Sequence, residues 1–218
     1  MKVGVILYHK NIERYKREWV DKCVASLELQ TYQDFEVFEL CYDDVKITLA
    51  EYLQRSPEFL IHVVDHKPLP NHAHAQNYLL DMLFKTLDFD YVFNVNLDDY
   101  YDRRRFELQL EMIERGYDFV AANFQHTEEG PNGYDVVGFK FEASKYSIGE
   151  ELLRGHNIVG HSSVCYSKNF WLTYGPYPDT IPHEDLDLWQ RAANAGAVIG
   201  IHPEILLYYR RHRNQICK

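Results

Sequence analysis

The sequence predicts an α/β fold in a single domain, built on one mixed, mostly parallel sheet flanked by helices. Three observations lead there. Short β-prone apolar runs alternate with segments whose apolar residues recur at helical spacing; the runs end in acidic or polar residues; and no linker, repeat or low-complexity stretch divides the 218 residues. With 46% hydrophobic and 26% charged residues, such a chain can bury a full core.

Taken in order, Val3 to Leu7 is an unbroken apolar run and reads as the first buried strand. Ile12, Tyr15, Trp19, Cys23 and Leu27 fall on one helical stripe, predicting an amphipathic helix over about 12–29 that packs on the sheet. Phe35 to Leu40 and Leu60 to Val64 read as strands, the first followed by Asp43 and Asp44 and the second by Asp65, so these acidic ends share one rim. Ala75, Leu79, Met82 and Leu83 mark another helix. Tyr91 to Val95 is the next strand, and a helix carrying Phe106, Leu110 and Ile113 stops at Gly116. Tyr117 to Ala122 returns as a strand. Between about 125 and 160 six Gly and Pro positions interrupt the pattern, which predicts loops and a lid. Order resumes at Ser162 to Tyr166, at a helix with Leu186, Trp189 and Ala193 closed by Gly196, and at a last strand, Val198 to Ile201.

Composition removes several function classes. A net charge of −10 argues against a nucleic-acid partner, which needs a basic surface. Cys23, Cys41, Cys165 and Cys217 lack metal-ligand spacing and sit among apolar neighbours, as reduced core thiols do. No apolar run approaches the roughly 20 residues that span a bilayer, and Met1-Lys2-Val3 leads straight into a strand, so the expectation is a cytoplasmic chain without a membrane span.

The chemistry concentrates in three stretches. Phe93-Asn94-Val95-Asn96-Leu97 delivers Asp98 and Asp99 to the end of a strand, where an α/β sheet opens its ligand crevice. His183-Glu184-Asp185 opens a helix, and Tyr209-Arg210-Arg211-His212-Arg213 forms a basic segment beyond it. Together they suggest group transfer from a nucleotide-activated donor whose phosphates sit on a metal. The bland alternatives are a solvated turn for Asp98 and Asp99, and for Glu184, Asp185 and Asp187 a simple preference for the positive helix end. His72-Ala73-His74, with His156, His161, His183 and His202, raises zinc, but no Cys stands at ligand spacing to support it. Tyr134, Tyr146, Tyr174 and Tyr177 could stack on sugar faces, or serve as ordinary filler.

An ordered set of motifs then resembles the family 2 glycosyltransferases of GT-A fold, from the first strand almost to the C-terminus. The set comprises Ser26-Leu27 through Gln30-Thr31-Tyr32 to Phe35-Glu36-Val37, the acidic Asn96-Leu97-Asp98-Asp99, and Gly160-His161-Ser162-Ser163. Glu184-Asp185-Leu186-Asp187-Leu188-Trp189-Gln190-Arg191 and Leu207-Tyr208-Tyr209-Arg210-Arg211-His212 complete it. The resemblance implies a GT-A (Rossmann-like) domain with a nucleotide-binding half over 1–101 and an acceptor-binding half over 102–218 that contains the loop at about 125–160.

It also implies roles. Asp98 would hold a divalent cation, with Asp99 in support. Hard oxygen ligands favour Mn²⁺ or Mg²⁺, and the added imidazole of His212 tilts the choice to Mn²⁺. Arg210 or Arg211 could instead, or in addition, clamp the diphosphate. Nucleotide contacts would fall to Asp43, Asp44, Asn96, Asp98, Gln76 and Tyr8. Asp185 would act as base toward the acceptor hydroxyl, with Glu184 positioning acceptor or loop. His161 and Trp189 would line the acceptor side, although Trp189 and Arg191 also fit packing and an i,i+4 salt bridge.

The implied reaction is inverting transfer of a hexosyl or N-acetylhexosaminyl group from a nucleoside-diphosphate sugar, UDP-linked, to a glycan, protein or small-molecule hydroxyl. Departures bear on it. Asn96 stands where the family has Asp, Tyr8-His9-Lys10-Asn11 replaces the usual segment after the first strand, and Ala75-Gln76-Asn77 lacks an expected Arg. They motivate the alternative, a non-catalytic nucleotide-sugar or carbohydrate binding module of the same fold. A nucleotidyltransferase is disfavoured, because the first strand is not followed by a Gly-rich phosphate loop.

Overall fold

The computed structural model describes residues 1–44, 46–130, 135–179 and 183–213. Tyr134 and Cys217 lie outside them. The strands are β1 (Val3–His9), β2 (Phe35–Cys41), β3 (Leu60–Val63), β4 (Tyr91–Val95), β5 (Tyr100–Tyr101), β6 (Phe119–Glu129), β7 (Asp135–Phe141), β8 (Cys165–Ser167) and β9 (Ile199–Arg210). They form one sheet in the order β3-β2-β1-β4-β8-β6-β9-β5, with β7 on the outer side of β6.

The pairs β3–β2, β2–β1, β1–β4 and β6–β9 are parallel. The short β8 runs antiparallel between β4 and β6. In β1 every residue but Tyr8 is buried, which explains its continuous apolar run: helices cover both sheet faces. One face packs α3 (His72–Asp81), α6 (Lys168–Tyr174) and α7 (Glu184–Asn194) around Leu79, Leu80, Trp171 and Trp189. The other packs α1 (Arg17–Glu28) and α4 (Arg105–Glu114) around Val20, Val24, Phe106 and Leu110. Two short helices, α2 (Leu49–Leu53) and α5 (Ile148–Leu153), complete the set. α3 runs on into a π-helical turn, Met82–Thr86, whose Leu83 lies so close over Gly4 that a β-carbon there would collide with it.

Three sequence expectations change. The helix expected over 12–29 is divided: Asn11 caps a single 3₁₀ turn, Ile12–Arg14, by accepting from the Glu13 N–H at 2.8 Å, and Tyr15 is extended, so α1 starts only at Arg17. The stripe survives because Ile12, Trp19, Cys23 and Leu27 still bury on one side. The region expected as loops and lid contains a hairpin, because β6 continues through Glu129 and β7 returns beside it. β7 lies at an edge with Val136, Val137 and Phe139 all exposed, so it carries no in-out alternation by which to read it, and a register shift breaks the period in β6 between Gln125 and Thr127.

Last, β9 does not end at Ile201. It passes Pro203 through an irregularity in its pairing with β6, where the Asn123 carboxamide donates to the Pro203 carbonyl at 2.8 Å. Tyr209 and Arg210 of the basic segment are therefore the end of this strand, and Arg211, His212 and Arg213 follow it.

Candidate active site

The carboxyl ends of β1, β2 and β4 open onto one rim, as parallel strands require. After β2, Asp43 is half-buried and Asp44 exposed, with the Asp44 N–H donating to Asp43 Oδ1 at 2.9 Å. The segment leading to α3 is tied beside them, through the Leu69 N–H to the Tyr42 carbonyl at 3.1 Å. After β4, the backbone of Asn96 is fixed from two sides. Its N–H donates to the Tyr101 hydroxyl at 2.9 Å, and its carbonyl accepts from the Cys23 thiol at 3.4 Å. Its side-chain oxygen lies 3.5 Å from the Tyr8 hydroxyl, whose pKa burial raises. The Gln76 amide, from α3, is fully buried and neither of its polar atoms has a hydrogen-bond partner. A buried amide in that state costs about 1–3 kcal/mol unless something fills its valences.

The two adjacent aspartates have different fates. Asp98 is half-buried, and its Oδ2 lies 2.9 Å from His212 Nε2, so the two expected metal ligands meet. The His212 ring lies against Trp19 of α1, with centroids 4.7 Å apart. One carboxylate oxygen and one imidazole nitrogen fit a divalent cation that takes its remaining ligands from a diphosphate. No group of three or more metal-ligating side chains gathers among the described residues.

Asp99 is not a supporting ligand. It is 1% exposed, its Oδ2 accepts from Ser162 Oγ at 2.6 Å, and its Oδ1 accepts from the Arg210 N–H at 2.9 Å. Burial pushes its carboxyl well above the usual range, the neighbouring Asp98 adds to this, and the two hydrogen bonds counter it. Nor is Arg210 placed to clamp a diphosphate. It is 2% exposed, its Nε donates to the Asp98 carbonyl at 3.0 Å, its fork grips the Asp135 carboxylate, and Trp19 lies 5.1 Å away in cation–π contact. The side chain closes the junction of β9, β7 and α1. Arg211 remains exposed.

The second acidic station opens α7. Its cap residue, His183, has φ +89, a left-handed backbone for a non-glycine residue that costs of order 1–3 kcal/mol, and its side chain makes no capping bond; Asp185 Oδ1 accepts from the Leu186 N–H at 2.7 Å instead. Asp185 is half-buried and its Oδ2 accepts from Asn157 Nδ2 at 2.8 Å. Glu184 is buried, and its Oε1 lies 2.6 Å from His72 Nε2. Burial raises the Glu184 carboxyl, but the His72 hydrogen bond, a bond to its own backbone and the nearby imidazoles of His72 and His161 together outweigh it, and the net shift is downward.

His161 is half-buried, 3.0 Å from the Tyr177 hydroxyl, which in turn lies 2.5 Å from Tyr166 Oη. Burial lowers the His161 pKa against the opposing pull of Asp185 and Glu184. Trp189 does not line an acceptor surface. It is fully buried, stacked on Phe119 with centroids 4.6 Å apart, because its position faces the sheet. Arg191 makes its i,i+4 bridge to Asp187 at 2.7 Å and two backbone bonds besides.

One short turn connects the two stations. In the turn His161–Ser163, Ser162 holds Asp99, the Asn94 amide donates to the His161 carbonyl at 3.1 Å, and the His161 ring feels both Glu184 and Asp185. Asn157 and Asn94 are participants that sequence reasoning missed, and it weighed His72 only as a zinc candidate, not as a partner of Glu184. His72 could have been found only by asking what partner a histidine takes at a helix start, since its carboxylate lies far along the chain. His74, the other half of the His-x-His pair, lies 3.3 Å from Asp179. Of the tyrosines weighed for stacking, Tyr177 is buried, Tyr174 half-buried and Tyr146 exposed.

One acidic pair thus stands at the carboxyl ends of parallel strands and a second opens a helix. No family model matches the chain. A curated protein of Haemophilus influenzae (strain KW20 / Rd), called an uncharacterized glycosyltransferase, is 28% identical over 217 residues, covering 96% of this chain and 76% of that protein. Among solved structures, S. aureus TarS 1–349 in complex with UDP-GlcNAc matches with a TM-score of 0.69 at 16% identity, over 99% of this chain and 60% of that one. The same TarS region in complex with UDP matches with a TM-score of 0.62 at 17% identity, over 97% and 61%. The chain thus spans about 60% of the TarS region it matches. The likeness to glycosyltransferases that the motifs imply is found again in the curated relative, and the fold is that of the TarS structures. No helix among the described residues is long and apolar enough to cross a membrane.

Proposed function

We propose that this chain is a metal-dependent, inverting glycosyltransferase that moves a sugar from a UDP-linked donor to a hydroxyl acceptor. The observation that carries the reading is the convergence of three distant motifs: Asp98 with His212 on one side, Glu184 and Asp185 on the other, and the His161–Ser163 turn between them.

The donor nucleotide lies over the rim of β1, β2 and β4, in a nucleotide-binding half over 1–101, with Asp43, Asp44, Tyr8 and Asn96 toward the base and ribose and Gln76 beneath. The unfilled valences of the Gln76 amide support a ligand there. Asp98 and His212 would hold Mn²⁺ or Mg²⁺, which when bound neutralises the charge that builds on the departing diphosphate. Asp185 takes the proton of the acceptor hydroxyl as its oxygen attacks the anomeric carbon from the face opposite the leaving group, so the configuration inverts. A base must reach a substrate, and Asp185 is partly open where Glu184 is not. The donor bound in the TarS structure, UDP-GlcNAc, makes an N-acetylhexosaminyl group the first sugar to try.

The test is thermal unfolding with UDP, GDP, CDP and ADP, each with and without Mn²⁺, on the wild type and Asp98→Ala. A ligand at about 100 times its Kd adds about 2.7 kcal/mol, enough to raise Tm by several degrees. Stabilisation by UDP only with metal, lost in Asp98→Ala, supports the reading. Nucleotide binding without turnover of any sugar nucleotide would instead support a binding module.

A further inference from the structure

We propose that His72 is a positioning residue for the acceptor side of the site: from the start of α3 its imidazole holds the Glu184 carboxylate, and so sets the first turn of α7 that carries Asp185. The inference rests on the transferase reading above and adds to it a residue that no part of the motif set contains. His72 Nε2 and Glu184 Oε1 are 2.6 Å apart, with the two side chains 14% and 7% exposed. At that separation, away from water, the pair is a charge-assisted hydrogen bond of the strong kind.

The start of α7 needs such a hold. Its cap, His183, is left-handed and provides no side-chain hydrogen bond, so within the first turn the local side-chain hold comes from Asp185 Oδ1, which accepts from the Leu186 N–H at 2.7 Å. The Glu184–His72 contact adds to that local bond a tether to another element. α3 is itself anchored at that end. Asn71 Oδ1 accepts from the His74 N–H at 3.0 Å, and the preceding segment is bonded to the end of β2 through Leu69 and Tyr42, next to Asp43.

One imidazole therefore joins the rim assigned to the nucleotide to the helix assigned to the acceptor. The groups facing Glu184 are His72 from α3, His161 from the turn before β8, and Asp185 on its own helix. The same geometry separates the two acids. Glu184 is buried and its Oε1 is held by His72, while Asp185, whose two oxygens accept from Asn157 Nδ2 and the Leu186 N–H, is only half-buried and so can still meet a hydroxyl.

The experiment compares wild type, His72→Ala and His72→Gln, the last retaining a donor toward Glu184. With UDP-GlcNAc and Mn²⁺, release of UDP to water or added acceptor should fall roughly 10- to 100-fold in His72→Ala, the cost of misplacing a reacting group. UDP affinity measured by calorimetry should stay within about twofold, and His72→Gln should recover most of the rate. A second readout needs no turnover: the Glu184 side-chain ¹³C-carboxyl resonance should titrate at higher pH in His72→Ala than in wild type. Unchanged turnover in His72→Ala, loss of rate in step with loss of UDP binding, or an unmoved Glu184 titration would each overturn the proposal. Absence of UDP release from any sugar nucleotide in the wild type would instead refute the transferase reading, and with it the catalytic purpose of the pair.

Discussion

Arg210 offers the sharpest test of the packing around the site. Replacing it with Met keeps the length and apolar contact of the side chain while removing the guanidinium that bonds Asp135 and the Asp98 carbonyl. Breaking a buried ion pair by deleting one partner costs about 3–5 kcal/mol, because the other charge is left behind. Asp135 is 11% exposed and keeps Lys22 as a second cation, which places the expected loss near the lower bound, about 3 kcal/mol. In urea, with a slope of roughly 2 kcal/mol per molar for a chain of this size, the midpoint should fall by about 1.5 M. The corresponding drop in Tm is roughly 6–12 °C. Arg210→Met/Asp135→Leu should regain more than half of the loss, since an apolar pair of similar volume replaces the stranded carboxylate. A midpoint shift of only a tenth or two of a molar for Arg210→Met, at unchanged slope, would mean that the arginine is not a structural element here and is available to a ligand after all.

Four further outcomes are expected. Asp185→Asn should lower transfer by roughly 10²- to 10⁴-fold while calorimetry finds UDP affinity unchanged; equal losses in both would remove it as base. Gln76→Leu should be neutral to stabilising by about 1 kcal/mol without ligand, because it removes an unpaired buried amide, and should reduce stabilisation by UDP; destabilisation in the ligand-free protein would show that the amide has an ordered partner. Gly160→Ala should cost about 1–3 kcal/mol in urea unfolding, since the added β-carbon would sit 3.0 Å from the Phe124 ring and 3.2 Å from Leu207. The raised carboxyl of Asp99 favours the protonated, folded form, so its contribution is fully present below the ordinary value of about 3.9 and is lost as pH rises through its elevated folded value. The stability of Asp99→Asn relative to wild type should therefore increase with pH from about 4 upward, and a flat difference would contradict the assignment.

Several features were legible in the residues because they are local. Short apolar runs placed β1 through β4 and period-3.6 patterns placed α4 and α7, and Gly116 and Gly196, with φ of +101 and +85, end their helices where a left-handed residue is needed. The acidic pairs, too, could be set at strand and helix ends from the chain alone. The hairpin of β6 and β7 could not, because an edge strand exposed on both faces has no period, and β9 was cut short at a proline that its partner strand accommodates with Asn123.

What the chain by itself determined is the class of fold, the order of its buried strands and the kind of chemistry its acidic ends can carry, since each follows from which residues are neighbours along the backbone. Tertiary structure alone decided which acid is buried in the architecture and which stays partly open. Asp98 and Asp99 are adjacent and chemically identical, as are the headgroups of Glu184 and Asp185. Ser162 and the backbone of Arg210 claim Asp99, and His72 claims Glu184. Those partners come from remote segments brought together by burial of apolar surface that contains none of the charged groups, so no local pattern could have announced the choice.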